Sequence, residues 1–177
     1  MTDQPLPDIA AFEALFATHG ARMKSLAFNM LRNRSDAEDA VQEAFLKAYS
    51  RRHTFRSDAQ LWTWVYRILL NACYDAGRRR AVRGMEEEID PGGTLLQSQG
   101  RDHPLRVALQ RALATLSPLY REVFLLCEVE GYTHRETAAI LDIPEGTSKG
   151  RLFEARRQLK DTLRGVTTTS ATNRVGS

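Results

Sequence analysis

The side chains best suited to bind a ligand form a basic stretch, EGTSKGRLFEARRQL, at residues 145–159. Lys149 and Arg151 can reach the base edges or phosphates of a nucleic acid, and later cations can add phosphate contacts. Small residues at the start of a helix allow close approach to DNA, where backbone N–H groups favour a phosphate. The alternative is an amphipathic surface helix whose charges are only solvated. The small residues are Gly146, Ser148 and Gly150, and the later cations are Arg156, Arg157 and Lys160.

A second group of side chains suits unpaired bases. In the stretch LWTWVYRILLNACYDAGRRR, residues 61–80, the helical core pattern directs Trp62, Tyr66, Arg67 and Asn71 toward a different side. Aromatic rings stack on unpaired bases, cations follow the backbone, and an Asn amide can hydrogen-bond a base edge. The alternative is that Trp62 and Tyr66 are ordinary packing aromatics.

The rest of the sequence lacks the spacing of a catalytic or metal site. Cys73 and Cys127 each lie in an apolar run, which is typical of reduced, packed thiols. The four histidines are scattered, and the sequence contains neither a Cys/His metal spacing nor a phosphate-binding glycine loop. We therefore expect a protein that is not an enzyme, with no metal, no cofactor and no small-molecule substrate.

Composition and charge are those of a globular protein. The 177 residues are 42% hydrophobic and 27% charged, with a net charge of +3. Residues 81–103 hold 5 acidic against 2 basic side chains, whereas the segments on either side carry a basic surplus. The amino terminus lacks the pattern of a signal peptide, and no apolar run approaches the length of a membrane span. We expect a cytoplasmic protein with no membrane insertion.

The helical periodicity predicts an all-α fold of two small helical domains joined by a flexible linker. The first domain spans residues 1–80 and the second spans 104–163. In the intervening 81–103 the periodicity stops, and acidic residues mixed with Gly and Pro predict the linker. Residues 164–177 are mostly polar and are predicted to form a disordered tail.

The first domain is predicted to contain three helices. Asp8 is the expected N-cap of the first helix, and Ser35 with Glu38 forms a capping box for the second. The third helix is expected to end near Gly77.

The second domain contains the spacing of a helix-turn-helix at residues 133–159. Thr133 with Glu136 forms a capping box for a short helix, and Pro144 blocks its continuation and starts the next helix. In this motif the second helix enters the major groove of DNA with its N-terminal residues foremost.

Three segments together resemble the extracytoplasmic-function (ECF) sigma factors of bacterial RNA polymerase. They are DAEDAVQEAFLKAY, FRSDAQLWTWVYRILLNA and LSPLYREVFLLCEVEGYTHRETAAILDIPEGTSKGRLFEARRQL. The similarity covers most of residues 10–163 and makes the first domain sigma region two and the second sigma region four. It implies a subunit that binds core polymerase and directs promoter-specific initiation. An anti-sigma factor is a further expected partner, since many members of the family are held inactive by one.

The resemblance also assigns candidate binding residues. An acidic helix face matches the segment that binds the beta-prime clamp helices of polymerase, and the beta flap is a further expected contact. The loop 54–60 and the helix through Asn71 match the part that melts and reads the minus-ten promoter element. Residues 145–157 match the helix that reads the minus-thirty-five element. The polymerase-binding candidates are Asp36, Asp39, Gln42 and Glu43. The minus-ten candidates are Phe55, Arg56, Trp62, Tyr66, Arg67, Asn71 and Ala72. The minus-thirty-five candidates are Thr147, Ser148, Lys149, Arg151, Phe153, Arg156 and Arg157.

Four positions depart from the family pattern and leave the promoter sequence open. The family usually has Val at Ser148, often Ser at Gly150, often a DNA-contacting basic residue at Glu154, and a smaller or basic residue at Trp62. Two other classes also stay open. One is a helix-turn-helix regulator that binds a symmetric site without polymerase, and the other is a sigma-like adaptor that only titrates a partner.

Overall fold

The computed structural model describes residues 6–56, 59–84 and 103–172, and the regular elements within these ranges are all helices. In the first part of the chain these are α1 (Ile9–Leu31), α2 (Arg34–Ser50), a short 3₁₀ turn (Arg52–Thr54) and α3 (Leu61–Val82). They are followed by α4 (His103–Thr115), α5 (Pro118–Phe124), a π-helical turn (Leu125–Val129), α6 (His134–Leu141) and α7 (Glu145–Thr172). The all-α prediction is confirmed. Most of the predicted linker, residues 85–102, lies outside the described residues.

The chain divides into two compact units. The first contains α1, α2 and α3, and the second contains α4, α5, α7 and the first five residues of α6. In the first unit α2 packs against both α1 and α3, and α1 packs against α3. Burial of the apolar stripe of each helix drives this packing. Its fully buried side chains include Met23, Leu26, Ala44, Val65 and Leu69.

Two of the predicted helix caps are present. The Asp8 carboxylate accepts a hydrogen bond from the backbone N–H of Ala11 at 2.9 Å. At α6 the N–H of Thr133 donates to Oε2 of Glu136 at 2.8 Å, and the N–H of Glu136 donates to Oγ1 of Thr133 at 3.2 Å. These bonds satisfy backbone donors that have no partner within the helix.

The start of α2 differs from the prediction. The cap is Asn33, whose side-chain oxygen accepts from the backbone N–H of Asp36 at 3.0 Å. Ser35 therefore lies inside the helix, and Glu38 pairs with Arg34 at 3.3 Å instead of closing a capping box. An Asn cap is as favourable as a Ser cap, so the helix starts at the earlier of two possible sites.

The end of α3 also differs, because the helix continues beyond Gly77. Its last turns are tied to α2 by two ion pairs, Arg79 with Glu43 at 3.2 Å and Arg80 with Asp36 at 3.3 Å. A single glycine costs a helix only about 1 kcal/mol relative to alanine, and the added pairs offset part of that cost.

In the second unit α7 packs against α4 and α5. The guanidinium of Arg121 on α5 donates to the backbone carbonyls of Leu113, Ala114 and Leu116 at 2.8 to 3.1 Å. These carbonyls belong to the end of α4, where helical acceptors lack partners, so one cation caps α4 and joins it to α5.

The last helix is longer than the sequence predicts. α7 continues to Thr172, through residues 164–172 that were expected to form a polar tail. Residues 173–177 of that tail lie outside the described residues.

Candidate nucleic-acid interface

Three residues, Asp142, Ile143 and Pro144, join α6 to α7. Asp142 has a left-handed backbone with φ of 56°, a conformation that Asp tolerates better than most residues. The N–H of Ile143 donates to the carbonyl of Ala138 at 3.1 Å, and Pro144 then precedes the first residue of α7. This is the short, sharp connection that a helix-turn-helix requires.

The first four turns of α7 have one buried side and one exposed side. The buried seam consists of Ser148, Leu152, Ala155 and Leu159. The exposed residues are Glu145, Gly146, Lys149, Gly150, Phe153, Arg156 and Arg157. Phe153 is 71% exposed, which is unusual for so large an apolar side chain. The surface that the sequence predicts to face DNA is thus open to solvent.

Ser148 differs from this expectation because its side chain is fully buried. Its Oγ lies 3.0 Å from Nδ1 of His134, the first residue of α6. Cys127 Sγ lies 3.8 Å from the same nitrogen and 3.3 Å from Oγ1 of Thr137, which is also fully buried. Burial raises the pKa of the Cys127 thiol, so it stays protonated. This polar cluster fixes the start of α7 against α6, so Ser148 is part of the packing between the two helices.

Most cations on the exposed side of α7 are already paired with carboxylates. Lys149 pairs with Glu145 at 2.7 Å, within the first turn of the helix. Arg156 pairs with Glu128, on the π-helical turn, at 2.5 Å. Exposed pairs of this kind contribute little to stability, about 0 to 1 kcal/mol, so their cations can exchange partners readily. The third pair joins Arg157 to Glu154 at 2.5 Å.

Arg151 is different, since it has no carboxylate partner within residues 6–56, 59–84 and 103–172. It is half-buried, as is Thr147 one turn earlier. Among the predicted minus-thirty-five residues, Arg151 is therefore the cation that can contact DNA without first leaving an anion.

Two carboxylates of this surface, Glu154 and Glu145, have a lowered pKa and are ionised at neutral pH. The hydrogen bonds from Arg157 and then Gln158 lower the pKa of Glu154 to about 2, and Lys149 lowers that of Glu145. The depressed pKa means that the Glu154 pair favours the folded state above the ordinary value of 4.5. That contribution is lost as the pH falls toward 2.

In the first unit, the aromatic side chains around α3 separate into buried and accessible rings. Trp62 is half-buried and stacks on His19, with ring centroids 5.1 Å apart and planes at 8°. Tyr66 is fully buried and meets the edges of both rings. Ala72 is also buried, at 1% exposure. Tyr66 and Ala72 therefore lie in the core beneath the accessible residues of α3, in contrast to the expectation that they contact bases.

The remaining minus-ten candidates are accessible. Phe55 is half-buried and lies against Trp64, with centroids 5.4 Å apart. Arg56 and Asn71 are exposed, and Arg67 is half-buried. Residues 57 and 58 of the predicted loop lie outside the described residues.

The four polymerase-binding candidates lie on α2 but in different states. Asp39 and Gln42 are exposed. Asp36 and Glu43 form the ion pairs with the end of α3 described above, and Lys47 also pairs with Glu43 at 2.5 Å. Bonds from Lys47 and Arg79 lower the pKa of Glu43, so it remains a carboxylate. The partners Arg79 and Arg80 could not be predicted from local sequence, because they lie 36 and 44 residues away on another helix.

The described residues contain no group of three or more His, Cys, Asp or Glu side chains arranged to hold a metal ion. None of the helices in the described ranges has the length and apolarity needed to cross a membrane.

Both units match known protein families. The profile of sigma-70 region 2 matches residues 15–83, which span most of α1 and all of α2 and α3. The profile of sigma-70 region 4 matches residues 106–159, which contain α5, α6 and the start of α7. The two matches place the chain in the class of sigma-70-type initiation factors.

Individual relatives narrow the class. The chain is 34% identical over 154 residues to the ECF RNA polymerase sigma factor SigM of Mycobacterium tuberculosis, covering 86% of this chain and 76% of the relative. It is 32% identical over 178 residues to the ECF RNA polymerase sigma-E factor of Escherichia coli, covering 90% and 93%. The chain belongs to the ECF sigma factor family.

Solved structures agree with the fold. A structure of CnrH in complex with the cytosolic domain of CnrY is similar at a TM-score of 0.66 and 28% identity, covering 89% of this chain and 90% of that one. The sigma factor RpoE of Bartonella quintana, solved with the anti-sigma factor NepR, is similar at a TM-score of 0.67 and 24% identity. That match covers 88% of this chain and 98% of RpoE, and it supports the fold alone.

The chain is thus an alternative sigma factor that binds core RNA polymerase and promoter DNA and directs transcription initiation. This family membership favours the initiation factor over the independent regulator and the adaptor that the sequence left open. The family is non-enzymatic.

Proposed function

We propose that the exposed side of α7 reads the minus-thirty-five element in the major groove. The observation that carries this proposal is the division of α7 into a buried seam, anchored by Ser148, and an exposed side. Lys149, Arg151 and Phe153 would face base edges, with Thr147 beside them, while Arg156 and Arg157 contact phosphates. Because its hydroxyl is buried, Ser148 acts by holding the helix start in place.

The surface around α3 captures unpaired bases of the minus-ten element. Trp62 and Phe55 supply stacking faces, Asn71 supplies an amide, and Arg56 and Arg67 supply charge for the backbone. Melting is then driven by the free energy of binding the displaced strand, so the chain itself performs no nucleotide hydrolysis or other catalysis. Its place of action is that of the polymerase, the cytoplasm.

The exposed Asp39 and Gln42 of α2 dock on the beta-prime clamp helices of polymerase, with Asp36 and Glu43 as neighbours held by α3. A carboxylate on this face complements a basic surface of a partner, and such complementarity sets the association rate. The second unit adds a contact with the beta flap.

Run-off transcription with purified core polymerase and genomic promoter fragments tests the function. We expect specific transcripts only when the chain is added. The substitution Asp39→Lys should lower the affinity for core polymerase about 10-fold, since it places a like charge at a docking contact. Thr18→Lys on α1 also introduces a lysine at an exposed site of the unit and should leave the affinity unchanged. If the Asp39→Lys chain directs specific initiation and binds core polymerase as tightly as the unsubstituted chain, α2 is not part of the docking site.

A shallow apolar groove between α1 and α2 fits an amphipathic helix of an anti-sigma factor. It is lined by Ile9, Phe12, Phe16 and Phe45, and Ile9 is 62% exposed. A neighbouring hollow shares Phe16 and Phe45 and reaches Gln42, so an occupant of the groove would obstruct the polymerase-binding face. Support for a protein partner comes from CnrH, which was solved in complex with the cytosolic domain of CnrY.

The substitution Ile9→Glu tests this regulation without a purified inhibitor. An acidic residue in the first turn of a helix is favourable, so folding should be retained. We expect promoter activity in unstimulated cells to rise several-fold, while run-off transcription with purified components stays at the level of the unsubstituted chain. Equal activity of the two chains in cells would argue against the groove as the inhibitor site.

A further inference from the structure

Glu154 is an anion on a surface that binds a polyanion. It lies between Phe153 and the pair Arg156 and Arg157, at a position where the ECF family often has a basic residue that contacts DNA. A carboxylate near phosphates is repulsive unless it is neutralised or has an amine to accept from. The presence of the Glu154 carboxylate on this side of α7 therefore requires a structural reason.

Hydrogen bonds fix the carboxylate in one orientation. Its Oε1 accepts from Nη2 of Arg157 at 2.5 Å and from Nε2 of Gln158 at 2.9 Å, and its Oε2 accepts from Nε of Arg157 at 3.0 Å. The positive charge of the guanidinium balances the negative charge of the carboxylate. It also lowers the pKa of Glu154 to about 2, so the carboxylate stays ionised. A carboxylate has about four acceptor positions, so three are used and one on Oε2 stays open.

We infer that Glu154 selects a cytosine in the minus-thirty-five element, accepting a hydrogen bond from the N4 amine at its open position. In the major groove cytosine presents an amine donor, whereas guanine and thymine present acceptors that an anion repels. Adenine offers an amine, but its N7 acceptor lies beside it. Arg157 keeps further N–H groups for a phosphate, so the pair can contact base and backbone together.

This inference rests on the proposed placement of α7 in the major groove. The test is a binding selection, in which holoenzyme reconstituted from core polymerase and the full chain is incubated with promoters randomised across the minus-thirty-five element. The unsubstituted chain, Glu154→Gln and Glu128→Gln are compared by sequencing the bound DNA. Glu128→Gln is the matched control, because it removes the carboxylate from another α7 arginine, Arg156, without changing a group proposed to face a base.

We expect the unsubstituted chain to enrich cytosine about 10-fold at one position. In Glu154→Gln that position should change to adenine, whose N6 and N7 pair with an amide, while the other positions keep their preferences. Glu128→Gln should change affinity for all sequences alike.

Two results would overturn the inference, and they differ in meaning. If the element is selected normally but no position changes in Glu154→Gln, Glu154 only screens its arginine and the placement of α7 stands. If the unsubstituted chain shows no preference at any position of the element, the placement of α7 fails as well.

Discussion

The substitution Arg151→Glu should lower promoter affinity of the holoenzyme on the order of 100-fold and abolish initiation that depends on the minus-thirty-five element. Loss of one arginine contact to DNA costs about 1 to 3 kcal/mol, and the introduced carboxylate adds repulsion from phosphates. The effect should be large at this position because Arg151 has no carboxylate partner in the described part of the chain. Affinity for core polymerase should be unchanged in a competition assay.

Arg111→Glu on α4 is the control for net charge, because it changes one exposed arginine of the same unit. It should retain most of the promoter affinity. A titration of salt concentration separates two roles of Arg151: loss of a phosphate contact reduces the salt slope by about 1, whereas loss of a base contact relaxes specificity at one position. If Arg111→Glu and Arg151→Glu weaken binding equally, general charge and not a specific contact explains the result.

The helices and the helix-turn-helix could be predicted because their signals are local. A capping box such as Thr133 with Glu136 spans three residues, and a proline such as Pro144 acts on its own turn. The apolar stripe of α7 likewise repeats within a few turns. These signals do not depend on what the rest of the chain does.

The burial of two candidate residues, Ser148 and Tyr66, could not be predicted, and the physical reason is the same for both. Both residues were expected to face a ligand. A polar or amphipathic side chain suits a surface, but it also suits an interior in which its polar groups have partners. The choice depends on partners such as His134, 14 residues from Ser148, and His19, on another helix from Tyr66. Local sequence carries no record of such partners. Burial of a polar group is favourable only when the group has hydrogen-bond partners in the interior.

The same dependence on distant partners applies to charge. Glu128 and Arg156 are separated by 28 residues, yet their side chains form an ion pair. A count of basic residues in residues 145–159 therefore overestimates the number of cations that can bind a phosphate without first leaving a carboxylate partner.

The substitution Tyr66→Ala should destabilise the first unit by about 3 to 5 kcal/mol, because it removes a fully buried ring and leaves a cavity. Trp62→Ala should cost much less stability, since Trp62 is only half-buried. Its expected effect is on open-complex formation, where stacking on one base contributes about 1 to 3 kcal/mol. The two aromatic residues, one turn apart on α3, therefore separate folding from strand capture.

Trp62 and Trp64 are the two tryptophans of the chain and both lie on α3, so tryptophan fluorescence during denaturant unfolding reports on the first unit alone. Tyr66→Phe keeps the ring and should retain most of the stability that Tyr66→Ala loses. Open-complex formation on a minus-ten fork substrate measures strand capture by the Trp62→Ala chain. If Trp62→Ala unfolds as easily as Tyr66→Ala and still melts promoters normally, the stacking of Trp62 on His19 serves the core and the base-binding surface lies elsewhere.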